Sequence, residues 1–163
     1  RRRRRVLVVV ASGRRCAGAA VSAAPRAALG ARVAAAGLAD RLLFIGEYPA
    51  ANLPELMRAL SLVVQLPRYE GYGMVPLEGL ASGVPFVGSE AGYYRAFSDD
   101  GRVGTVVPQE APAAAAEAAK AMLDRLDEPV LEQAARETAE VRFSARAEAG
   151  GIEAVYHDLW QQA

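Results

Sequence analysis

Two glutamates flank the densest stretch of the chain. Glu70 opens the run Glu70-Gly71-Tyr72-Gly73-Met74, and Glu78 follows in Pro76-Leu77-Glu78-Gly79, with seven residues between the two carboxylates. The glycines permit a tight turn and let a ligand approach the main chain, which a β-carbon would obstruct. A helix starting just beyond them presents unpaired N–H groups and a partial positive charge, an environment that suits a phosphate or diphosphate. Two carboxylates beside such an anion would repel it. They are therefore read as acceptors for hydroxyl groups at the two ends of the ligand, the arrangement of a diphosphate with a sugar on each side. Taken singly, a Glu near a helix start is a favourable charge–dipole placement, and a glycine turn before a helix is common. The functional reading is carried by their combination, set between two strands.

The elements that must hold this stretch follow from hydrophobic pattern. Val6 to Val10 is a continuous apolar run of the kind buried on both faces of a parallel sheet. Further strands are expected over Arg41 to Gly46, Leu62 to Leu66, Val84 to Ser89 and Thr105 to Pro108. Between them the sequence predicts a helix over Pro25 to Ala36, ended by Gly37 in a left-handed cap, and a short one capped by Asn52 and running to Leu60. It also predicts one from Val75 to Ser82, with Pro76 in its first turn, and a helical turn within Gly92 to Phe97. Helices over Pro112 to Leu126, Pro129 to Val141 and Ser144 to Trp160 complete the chain. Strict alternation of strand and helix argues for an α/β fold, a doubly wound parallel sheet of Rossmann-like type. In such sheets ligands bind outside the C-terminal ends of the strands, which directs attention to the loops after Val10, Gly46, Leu66, Ser89 and Pro108.

Composition narrows the classes. The 163 residues suffice for one domain with a core, residues 1–163 being read as a single unit. With 52% hydrophobic residues and 19 basic against 19 acidic side chains, the chain is globular and neutral, so bulk electrostatic binding of nucleic acid is not expected. No apolar run reaches the ~20 residues a membrane-spanning helix needs. The single Cys16 has no partner for a disulfide or a thiolate metal site, which fits a reducing cytoplasm. The absence of an initiating Met and the start at a strand edge are read as signs of a segment from a longer protein.

The stretch RYEGYGMVPLEGLASGVPFVGS resembles the signature of retaining glycosyltransferases of the GT-B fold, in particular the large family 4 group. There an acidic residue, a Gly-aromatic-Gly turn, a Pro-Leu-Glu helix start and Ala-x-Gly-x-Pro before a strand recur in that order. Within the group, AAAGLADRLLFIGEYPAANLPELMRALSLVVQLPRYEGYG is most similar to bacterial mannosyltransferases of lipopolysaccharide core synthesis. The resemblance implies the C-terminal, donor-binding half of a two-domain enzyme that transfers a hexose from a nucleotide diphosphate sugar, GDP-mannose being favoured, with retention at the anomeric carbon. It assigns Glu70 to hydroxyls of the donor sugar, as the catalytic-site carboxylate, and Gly71, Tyr72, Gly73 and Met74 to the turn whose amides touch sugar and diphosphate. Glu78 falls to the ribose hydroxyls, Tyr48 to packing on the base, and Ser12 and Gly13 to a loop near the donor.

The resemblance further implies no divalent metal and no cofactor besides the donor substrate, and the sequence has no Asp-x-Asp motif. A glycan or glycolipid acceptor would be bound by an N-terminal domain, with the full-length enzyme cytoplasmic and free to associate peripherally with the inner membrane face. The chain departs from the pattern in one respect. An early strand–helix unit carrying an Arg and a Lys that neutralise the diphosphate is absent, and the single lysine, Lys120, lies in a remote helix. Arg14 and Arg68 stand near the right strand ends, although an Arg at a loop mouth is more often solvated surface charge. The chain alone is accordingly expected to be inactive. A non-catalytic nucleotide-binding module of the same fold and a nucleotide-sugar epimerase are the competing readings.

Other residues receive blander readings. His157, between Tyr156 and Asp158 in the last helix, is expected at the surface, and Asp99-Asp100-Gly101 reads as an ordinary turn. Tyr93 and Tyr94, after the fourth strand, fit equally a role in shaping the site and a place in the core. Leu159 and Trp160 are expected to pack the final helix against a neighbour, and the Arg1 to Arg5 run reads as a solvated tail.

Overall fold

The structure, a computed structural model, describes residues 8–12, 23–47 and 49–161. They divide into two compact units, with the boundary between Leu53 and Pro54.

In the first unit, β1 (Val8–Ser12) pairs in parallel with β2 (Leu42–Glu47), with a register shift between Val10 and Ala11. The helix α1 (Ala23–Ala35) lies between them in the chain. It ends as the sequence predicts: Gly37 takes φ 70°, its N–H donates to the Ala34 carbonyl at 2.9 Å, and the Leu38 N–H reaches the Val33 carbonyl at 3.0 Å. These two bonds satisfy carbonyls that a helix end otherwise leaves free. A 3-10 turn at Ala39–Arg41 leads into β2. Asn52 departs from its expected role: it closes a 3-10 turn, Ala50–Asn52, that runs directly into α2 (Leu53–Ala59), so it is helical itself rather than an extended cap.

The second unit is built on three parallel strands in the order β3 (Val63–Gln65), β4 (Phe86–Ser89), β5 (Gly104–Val107). Their crossovers are α3 (Met74–Ala81) and α4 (Tyr94–Ser98); α5 (Pro112–Asp124), α6 (Leu131–Phe143) and α7 (Ala145–Gln161) follow. Side chains alternate along a strand, so each face of β4 shows what covers it. Phe86 packs edge-on against Tyr94 of α4 with ring centroids 5.9 Å apart. Val87, pointing the other way, clusters with Val107 and with Ala115 and Met122 of α5. Helices therefore cover both faces, as a parallel sheet requires, because parallel strands buried on both sides leave no face for water. The apolar runs of Val84 to Ser89 and of α5 are the sequence cause. This is an α/β fold of parallel strands and helices, of the Rossmann-like kind the sequence predicts.

The last helix is different. Among the described residues no residue of α7 is buried, and Trp160 is 85% exposed, so the expected packing partner for Leu159 and Trp160 is not found there. His157 is exposed on the same helix, as predicted, with a ring nitrogen 3.3 Å from the Gln161 side-chain amide.

Candidate functional site

The loops that follow β3, β4 and β5 at their C-terminal ends are tied to one another. Ser89 Oγ donates to the Pro67 carbonyl at 2.6 Å, and the Gln109 amide donates both to the Arg68 carbonyl at 3.1 Å and to the Glu90 carbonyl at 2.8 Å. Arg68 also pairs with Glu110 at 2.5 Å, and Arg95 pairs with Glu90. The loop after β3 carries Glu70 to Gly73, and it is further fixed by the Tyr93 N–H, which donates to the Tyr72 carbonyl at 3.0 Å. The Tyr72 and Tyr93 rings meet at 5.2 Å.

The two glycines of the turn serve different ends. Gly73 has φ 107°, and a β-carbon on it would overlap the Tyr94 ring, so both its backbone conformation and its packing demand glycine. Gly71 has neither constraint: its φ is not positive, and nothing lies within 4 Å of where a β-carbon would stand. Its N–H is held by Glu70 Oε1 at 3.0 Å, which bends the carboxylate back over the turn.

Gly73 immediately precedes α3, and no side chain caps that helix. The Leu77 N–H reaches back to the Gly73 carbonyl at 3.5 Å, and Pro76 has no N–H, so the Met74 and Val75 donors remain open among the described residues. Both residues are exposed, and the positive end of the helix faces the same loop. Glu78, one turn further along, is half-buried, and burial pushes its carboxyl above the usual glutamate range. Among the described residues neither Glu70 nor Glu78 has an Arg or Lys partner.

Glu70, Gly71, Tyr72 and Gly73 thus lie in the loop at the C-terminal end of β3, and Met74 and Glu78 in the helix α3 that follows it. Ser12 ends β1. Gly13, Arg14, Cys16 and Tyr48 lie outside the described residues. Arg68, a candidate for the missing cation, is committed to Glu110 in this structure. Gln109 is a residue that the sequence did not single out; an isolated glutamine after a short strand carries no local signal. Asp99 is another. Together with Asp100 and Gly101 it forms a left-handed run, φ 52°, 53° and 87°, rather than an ordinary turn. Its carboxylate accepts from Arg102 Nε at 2.6 Å and Arg142 Nη1 at 2.7 Å. An open depression lined by Arg102, Arg125, Glu128, Leu131, Ala134 and Glu137 lies beside this cluster, at the end of the sheet opposite the glycine turn. Its arginines are engaged: Arg125 donates to the Gly101 and Arg102 carbonyls and pairs with Glu128.

The fold is an α/β unit of parallel strands with a glycine turn at the end of β3, and comparison with known proteins gives the family. The model for glycosyl transferases group 1 matches residues 3–140. The chain belongs to that family. It is 39% identical over 133 residues to the lipopolysaccharide core biosynthesis mannosyltransferase LpsB of Rhizobium meliloti, covering 78% of this chain and 37% of the relative. It is 38% identical over 135 residues to LpcC of Rhizobium leguminosarum bv. viciae, a mannosyltransferase of the same description, with 80% and 37% covered. The chain therefore spans little more than a third of the length of these relatives. Among solved structures, the sucrose-phosphate synthase of Thermosynechococcus elongatus superposes with TM-score 0.73 at 24% identity, over 95% of this chain and 39% of that one. Anabaena Alr3699/HepE, solved in complex with UDP, superposes with TM-score 0.74 at 22% identity, over 94% and 41%. These likenesses show the fold. No helix among the described residues is long and apolar enough to cross a membrane.

Proposed function

We propose that the chain is the donor-binding half of a retaining glycosyltransferase that moves a hexose, mannose in the favoured reading, from a nucleotide diphosphate sugar to a glycan or glycolipid acceptor of the cell envelope. The observation that carries it is the pair of carboxylates without an Arg or Lys partner among the described residues, Glu70 and Glu78, on either side of an uncapped helix start. Mannosyl transfer and lipopolysaccharide core synthesis are drawn from the descriptions of LpsB and LpcC. A nucleotide diphosphate donor is supported by HepE, whose fold is shared and which was crystallised with UDP and with UDP-glucose.

In this reading Glu70 accepts hydrogen bonds from hydroxyls of the donor sugar and Glu78 from those of the ribose. The Met74 and Val75 amides and the positive end of α3 lie at the diphosphate between them. The bond from the anomeric carbon to the diphosphate oxygen breaks, the diphosphate leaves with the electron pair, and the acceptor hydroxyl bonds to that carbon on the same face, releasing its proton. Fixed N–H dipoles aimed at the leaving oxygens stabilise the charge that develops there and need not reorganise during the step. No metal is assigned a part. Gly71 fits this use, since nothing in the fold requires a glycine there and a bare backbone lets the donor approach.

Calorimetric titration with GDP, UDP, GDP-mannose and UDP-glucose tests the reading. GDP-mannose is expected to bind more tightly than UDP-glucose, and Glu78→Ala to weaken every nucleotide by ~1.5–3 kcal/mol for each charged hydrogen bond lost. Absence of binding by all four at millimolar concentration overturns the donor site, and a preference for UDP overturns the mannosyl assignment.

A further inference from the structure

Tyr94 has no part in the motif, yet it joins both ends of the loop that carries Glu70. The side chain is fully buried, and its hydroxyl donates to Gln65 Oε1 at 2.7 Å, on the last residue of β3. At the other end of the loop its ring edge fills the space beneath Gly73. The opposite ring edge lies against Gly88 of β4, where a β-carbon would also overlap it. One aromatic side chain therefore touches the end of β3, the middle of the sheet and the residue just before α3. The chain just before it completes the brace: Gly92 is packed so that a β-carbon would meet the Tyr72 carbonyl at 2.8 Å and Glu70 Cγ at 3.1 Å.

We propose that Tyr94 is a positioning residue for the donor site, its hydroxyl bond to Gln65 holding the loop from Leu66 to Tyr72 in the conformation that presents Glu70 and Gly71 to the ligand. Tyr94 itself touches no ligand. The chemistry suits a permanent strut. Burial, and then the negative charge of Glu70, push the phenol above its ordinary range, so it stays a hydrogen-bond donor at any pH at which the protein works. The hydrogen bond is also specific to tyrosine, because phenylalanine would fill the same space against Gly73 and Gly88 but leave Gln65 without its partner.

The inference rests on the donor-site reading of Glu70, and two measurements on Tyr94→Phe separate the two ideas. In the ligand-free protein, amide hydrogen exchange should speed up about tenfold over residues 66–73 while the β4 amides stay at wild-type protection. In titration, the gain in affinity of GDP-mannose over GDP, and of UDP-glucose over UDP, should fall by a similar factor, with GDP and UDP themselves unchanged, since Glu70 meets the sugar and Glu78 the ribose. Gln65→Leu should reproduce both effects, and the double variant should add nothing to either single change. Unchanged exchange over 66–73 overturns the proposal, as does faster exchange of loop and β4 alike or equal weakening of nucleotide and nucleotide sugar, either of which would mark a merely structural role. If the wild type binds no nucleotide at all, the donor-site reading falls and the positioning of Glu70 for it falls too, while the exchange result still decides whether Tyr94 holds the loop.

Discussion

Ahead of β5, Asp99 accepts from Arg102 and Arg142 at 2.6 and 2.7 Å, and Arg125 ties the adjoining carbonyls to α5. Beyond the opposite ends of the strands, Glu70 and Glu78 have no cation among the described residues, although Arg68 and Arg95 stand in the same group of loops and pair instead with Glu110 and Glu90. The two regions have similar charge and differ in who partners whom. Pairing holds the Asp99 carboxyl below the usual range, with the Arg102 hydrogen bond the largest cause, while burial lifts that of Glu78. A half-buried carboxylate without a partner among the described residues is better explained by a ligand than by stability, whereas one paired with arginines is explained by the fold.

Within the glycine turn the same contrast can be broken most sharply. Gly73→Ala forces a side chain into left-handed backbone and into the Tyr94 ring, and should lower stability by about 3 kcal/mol in chemical denaturation. Gly71→Ala meets neither obstacle and should stay within about 0.5 kcal/mol of wild type while sharply reducing nucleotide-sugar affinity. Equal stability losses from the two substitutions would erase the distinction between a glycine kept for the fold and one kept for the ligand.

Acid titration separates the two carboxylates by sign. The folded pKa of Asp99 lies below its reference of 3.8, so its contribution is present in full above that reference and is lost as pH falls through the folded value. For Glu78, raised above 4.5, the folded state binds more protons in the window between the two values, and stability falls as pH rises through it. Asp99→Asn keeps a residue that tolerates left-handed backbone and should cost about 1 kcal/mol at neutral pH, removing the acid-side loss and leaving nucleotide affinity unchanged. Glu78→Gln should be neutral or stabilising by up to about 1 kcal/mol while weakening nucleotide binding. Denaturation followed from about pH 3 to about pH 7, the span of carboxylate titration, reads both slopes, and a Glu78→Gln protein that is clearly less stable would contradict the unpartnered-carboxylate reading.

Much of this was legible in the residues because its causes are local. The apolar run of Val84 to Ser89 announces β4, Gly37 announces its cap, and Glu70 to Glu78 announces a turn and helix start. What was not legible depends on residues far apart in the chain. Asp99 meets Arg142 across 43 positions, so its local pattern reads only as a turn. Tyr94 reaches Gln65 across 29, and an aromatic residue after a strand fits a core or a site equally well until the fold is known. Gly71 and Gly73 are alike in sequence, and only the three-dimensional position of the Tyr94 ring tells them apart.

Gln109 offers the mildest version of the same comparison, since its two bonds join the loops without touching either glutamate. Its amide is exposed and donates to two backbone carbonyls, Arg68 and Glu90, that water can satisfy in its absence. Gln109→Ala should therefore shift stability by no more than about 0.5–1 kcal/mol. Because Arg68 is two residues from Glu70, loosening its carbonyl should act on the loop more than on the sheet, and nucleotide-sugar affinity should drop a few-fold while GDP or UDP affinity holds. The same bonds would make the loop's hydrogen exchange rise less than in Tyr94→Phe, since Tyr94 binds the loop from within the core and Gln109 only from its exposed rim. A larger effect for Gln109→Ala than for Tyr94→Phe would place the main restraint on Glu70 at the surface of the loops rather than beneath them.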